Sequence, residues 1–76
     1  METSLRCIRP GVRAVVTQIG VQEALAQRLR AFGLVPGTAV CCRYRSPGGS
    51  VTAVECRGAV IALRSRDAGK ILVVCP

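Results

Sequence analysis

The sequence predicts a mainly β protein: a small, highly curved antiparallel barrel of about five short strands, with one helix between the first and second strands. Three observations predict it. Small and β-branched residues dominate the apolar set, with eleven Val, nine Ala, six Leu and four Ile among 76 residues, a palette that suits pleated, half-buried strands. The apolar spacing switches to a helical period only once, between Val21 and Phe32. Glycine and proline punctuate the remainder at short intervals, as turns between short strands require. Closure into a barrel is favoured because it limits exposed edges in a chain with few other ways to protect them.

Each element follows in order. Leu5 to Gly11 is a lead-in closed by the turn pair Pro10-Gly11. Val12 to Ile19 has the β-branched content and length of a first strand, and Gly20 ends it. Val21, Leu25, Leu29 and Phe32 then fall on one stripe of a helix, with Gln22, Glu23, Gln27, Arg28 and Arg30 on the other sides. Gly33 is the helix stop, because a residue without Cβ enters the left-handed region freely. Pro36-Gly37 has the chemistry of a type II turn.

Thr38 to Arg45 is the second strand, with Val40, Cys42 and Tyr44 on the face expected to meet the core. Ser46-Pro47-Gly48-Gly49-Ser50 is a hairpin loop to a third strand, Val51 to Arg57, whose Thr52, Val54 and Cys56 point inward. Gly58 permits a tight turn into Ala59–Arg64, the fourth strand. Ser65 to Ala68 reads as a short capped turn with Ser65 as N-cap. Ile71 to Val74 is the last strand.

Composition bounds the function. A chain of this length makes one domain that buries only about 60% of its unfolded surface. Its longest apolar runs, Ala59–Leu63 and Ile71–Cys75, are far shorter than the roughly 20 residues a spanning helix needs. The first residues lack a basic stretch followed by an apolar one, so the expected location is the cytosol. Five cysteines without a CxxC pair point to reduced thiols packed as small hydrophobes, not to a disulfide framework or a zinc ribbon.

The chain has no His, and its four acids, Glu2, Glu23, Glu55 and Asp67, are far apart, so no acid–base or nucleophilic machinery is expected and the chain reads as no enzyme. No cofactor is expected. A metal site made by this chain alone is not indicated, although Cys42 and Cys56 could approach across the hairpin. Pro47-Gly48-Gly49 joins two strands and opens no helix, so it lacks the geometry of a phosphate loop. The net charge of +7 favours acidic partners: nucleic acid, an anionic membrane surface or an acidic protein patch. Two aromatics, Phe32 and Tyr44, make a poor platform for stacking nucleic-acid bases.

The series Arg28-Leu29…Gly33-Leu34-Val35-Pro36-Gly37-Thr38, Ser46-Pro47-Gly48-Gly49, Arg57-Gly58…Ile61-Ala62-Leu63-Arg64…Ala68…Ile71 resembles the FeoA family over nearly the whole chain, from Leu5 to Val74. The hairpin tip departs from the family pattern at Gly48 and Ser50-Val51. The resemblance implies an SH3-like β-barrel with a helix after the first strand. It also implies a cytosolic accessory of bacterial ferrous iron uptake that contacts FeoB, a membrane permease with a cytosolic GTP-binding domain. The same domain type ends the diphtheria-toxin-repressor class of iron regulators, and a short chain without a winged-helix portion favours the transporter accessory.

On this reading Leu29, Gly33, Pro36, Gly37, Gly58, Leu63 and Ile71 are fold residues. Arg28, Arg30, Arg43 and Arg45, with Arg13, are the candidate partner contacts. Alternative readings are a basic barrel that binds nucleic acid and a small metal carrier. Open strand edges would permit a homo-oligomer.

Overall fold

A computed structural model describes residues 2–75. Its framework is one strongly bent antiparallel sheet of six strands in the order β1-β6-β2-β3-β4-β5. In chain order these are β1 (Glu2–Ser4), β2 (Arg13–Ile19), β3 (Ala39–Arg45), β4 (Val51–Cys56), β5 (Ala59–Arg64) and β6 (Ile71–Val74). The helix α1 (Glu23–Ala31) lies between β2 and β3, and a single turn of helix, α2 (Ser65–Ala68), between β5 and β6. The sequence leads one to expect about five strands. The sixth is β1, three residues paired to β6 and followed by a 3-10 turn over Leu5–Cys7, too short to leave a periodic signature.

The core sits inside the bend. Leu5, Val16, Leu29, Leu34, Val54, Ile71 and Val73 are its largest wholly buried aliphatic side chains, with Cys42 and Cys56 filling space between them. Thr52, Val54 and Cys56 all face inward as their alternation predicts. Val21 and Leu25 pack against the core's edge, and only Leu29 of the α1 stripe enters it fully. Phe32, expected on that stripe, is instead 46% exposed. It is the C-cap of α1, where the backbone turns and carries the side chain off the buried face.

The corner after α1 follows its sequence signals closely. Leu34 N–H donates to Leu29 O and Gly33 N–H to Arg30 O, each at 2.9 Å; this is the Schellman pattern. Gly33 has φ +84°, and its missing Cβ leaves room for the stem of Arg57, whose Cδ lies 2.6 Å from where a Cβ would stand. Thr38 N–H donates to Val35 O at 3.1 Å around Pro36-Gly37, with Gly37 at φ +93°. The Thr38 hydroxyl donates to Gly33 O at 3.0 Å and locks the two turns together.

β3 departs from expectation in the middle. Its register on β4 shifts between Cys42 and Tyr44, so Arg43 is an extra residue that reverses the facing of everything after it. Tyr44, expected inside with Val40 and Cys42, is therefore 54% exposed. Arg45 takes the inward phase opposite Thr52. Ser65 also differs from its expected role: Arg64 is the N-cap of α2 and no side chain caps it. The Ser65 hydroxyl instead donates to Gly49 O and pins the β3–β4 loop.

Candidate partner-binding groove

A groove of about 480 Å³ separates α1 from β5. The amphipathic spacing of α1 commits Leu29 to the core and leaves Leu25 half-buried and Phe32 and Arg28 outside it, so one wall is apolar at its base and basic at its lip. The opposite wall is the outermost strand of the sheet, Ile61 to Arg64, and α2 with Lys70 closes one end. Arg28, Arg64, Arg66 and Lys70 face the groove against the single acid Asp67. Four cations around an apolar floor suit an acidic, partly apolar protein segment.

The four arginines predicted as contacts do not form one patch. Arg28 lines this groove. The Arg30 guanidinium donates from Nη2 to Glu23 Oε2 at 2.6 Å on the surface of α1. Arg43 Nε lies 3.4 Å from Glu55 Oε1, in a second cleft that also holds Arg13, Cys41 and Arg57. Arg45 is engaged within the fold: its Nη2 donates to Arg6 O and, at 2.6 Å, to Ile8 O. That clasp ties the 3-10 turn to β3.

Sequence reasoning missed Arg64, Arg66 and Lys70 as groove residues. They lie within one seven-residue stretch far from Arg28 in sequence, and only the β5–α2 reversal brings them beside it. The signal available was Arg64 at the end of an apolar strand followed at once by a polar turn.

The thiols do not converge. Cys42 opposes Val54, two residues from Cys56 along β4, so these two are not directly paired across the hairpin. All five cysteines are free, and among the described residues no three His, Cys, Asp or Glu side chains gather as a metal site would need. Burial pushes the Cys56 thiol up. The exposed Cys7 thiol is drawn down, chiefly by the Ser4 hydroxyl, which donates to its sulfur at 3.4 Å.

The FeoA domain matches residues 3–75. The chain belongs to the FeoA family. Solved structures agree. A FeoA protein from Chlorobium tepidum is 30% identical with a TM-score of 0.91, over 96% of this chain and 70% of that one. The zinc-complexed FeoA of Stenotrophomonas maltophilia, described as an SH3-domain protein, is 29% identical with a TM-score of 0.79, over 93% and 88% of the two chains. IdeR of T. acidophilum, 18% identical with a TM-score of 0.85, shares the fold over 99% of this chain and 34% of its own. No curated protein sequence matches this chain.

The bent sheet is thus the SH3-like barrel of FeoA proteins. As a FeoA protein the chain is an accessory of ferrous iron transport and not an enzyme. No helix among the described residues is long and apolar enough to cross a membrane.

Proposed function

We propose that this FeoA protein works in the cytosol, docking on the cytosolic portion of the FeoB-type iron permease through the groove between α1 and β5. The observation that carries this reading is the groove's make-up: an apolar base with four cations and one acid around it, on a family member whose role is accessory to transport. Contact here would let a small barrel alter the permease's activity or assembly without chemistry of its own.

A basic docking surface has a testable electrostatic signature. Charge attraction speeds encounter and holds the rim of an interface, and mobile salt screens it over about 8 Å at physiological ionic strength. Detergent-solubilised FeoB should be retained by immobilised FeoA protein at 50 mM salt and released several-fold more readily at 500 mM. Absence of retention at low salt would contradict the reading. The nucleic-acid alternative is tested in the same format: DNA or RNA binding with a log–log salt slope set by neutralised phosphates would favour it instead, and the exposure of Tyr44 makes that control worthwhile.

A further inference from the structure

β5 offers the groove more than a wall. The two-residue turn Arg57-Gly58 makes Cys56 and Ala59 the hydrogen-bonded pair beside the loop. At the far end Ser65 N–H donates to Ser50 O at 3.0 Å, which fixes the same phase. Ala59, Ile61 and Leu63 therefore bond to β4, and the N–H and C=O groups of Val60 and Ala62 point away from it. β5 pairs with β4 alone, and among the described residues no turn or loop bond reaches those outward groups.

Natural edges are blunted by charged side chains, by Pro or by a bulge. Ala59 to Leu63 carries none of these: its register on β4 is unbroken, and Val60 is 63% exposed. Of this free row Ala62 lines the groove whose far wall is a helix, and Val60 continues the same strand edge beyond the groove's lining. An edge strand with a helix across from it is a seat for an extended chain, which gains affinity from main-chain bonds and selectivity from side-chain contacts.

We infer that an extended, acidic segment of a partner protein adds to β5 as a further antiparallel or parallel strand between β5 and α1. Its main chain pairs with Val60 and Ala62. Its apolar side chains meet Leu25 and Phe32, and its acids meet Arg28, Arg64, Arg66 and Lys70. Charge selects the occupant: a second copy of this chain would bring another net +7 and the same four cations against the first. The inference rests on the docking reading above, with FeoB's cytosolic portion as the expected source of the segment.

The test reads amide hydrogen exchange by NMR on the full chain, with an eight-residue peptide of alternating Glu and Val at millimolar concentration as probe. The Val60 and Ala62 amides, fast in the free chain, are expected to slow at least tenfold, and the same peptide with Lys in place of Glu to leave them fast. Ala62→Pro removes one outward N–H and no β4 bond, a change that edge strands tolerate; it should weaken peptide binding at least tenfold with Ile61 and Leu63 still protected.

If that variant loses the Ile61 and Leu63 protection, Arg66→Glu with Lys70→Glu takes its place, with the same tenfold loss expected. No slowing with the acidic peptide, or slowing that grows with the concentration of the chain alone, overturns the proposal. Full retention of FeoB by a folded Ala62→Pro variant overturns strand addition and leaves docking intact. Peptide protection without any FeoB binding sinks the docking reading and leaves strand addition intact.

Discussion

At the scale of single residues, Arg45 shows how position changes the role of a charge. By alternation alone it belongs to the outer face, and its charge marks it as a partner contact. The extra residue at Arg43 turns it toward Thr52, where its guanidinium holds Arg6 O and Ile8 O. Hydrogen bonds to a charged donor contribute about 2 kcal/mol when their loss leaves carbonyls unpartnered. Arg45→Met, which keeps the stem, should lower unfolding stability by about that amount in urea titration. An unchanged midpoint would show that the clasp is idle.

The thiols also separate at this scale. The hydroxyl of Ser4 favours the Cys7 thiolate, whereas burial disfavours that of Cys56. A lowered pKa moves ionisation to lower pH, so iodoacetamide should label Cys7 at a pH where Cys56 is untouched. Because Cys7 is exposed, the effect appears in reactivity and not in stability. Ser4→Ala should shift the Cys7 labelling profile to higher pH, and mass spectrometry of the labelled peptides reads both changes.

At the scale of elements, β5 and β6 were legible to the residue because each is an apolar run that begins directly after a glycine turn, at Gly58 and at Gly69-Lys70. The α1 corner was legible because its bonds depend on backbone freedom that only Gly33 and Gly37 supply. The bulge in β3 was not, since an inserted residue in a strand of ordinary composition leaves no local mark; the error at Tyr44 follows directly. Phe32 was misplaced because a helical stripe says nothing about where the helix stops.

α1 itself is nine residues long, too short to hold by propensity, and Leu29 alone seats it deeply. Leu29→Ala should cost about 3 kcal/mol. It should also raise hydrogen exchange across Glu23–Ala31 more than across β3 or β4. Uniform loosening of the sheet and helix together would place α1 within the cooperative core instead.

At the scale of the whole molecule, net charge named the class of partner but not the surface. Eleven basic side chains are spread through the sequence, and folding sorts them. Arg45 is spent internally, Arg30 faces an acid on its own helix, and Arg43 faces one on the neighbouring strand β4. Arg28, Arg64, Arg66 and Lys70 gather around the groove between α1 and β5. Only Arg28 of that set was visible in advance, because the others meet through the β5–α2 reversal.

Two basic clefts with no lining residue in common give a direct comparison. The charge-reversed pair Arg28→Glu and Arg66→Glu should reduce FeoB binding at least tenfold at low salt, with the unfolding midpoint close to that of the parent. The pair Arg13→Glu and Arg43→Glu, in the other cleft, should bind within about twofold of the parent. The reverse ranking, or equal losses from both pairs, would contradict docking through the α1–β5 groove.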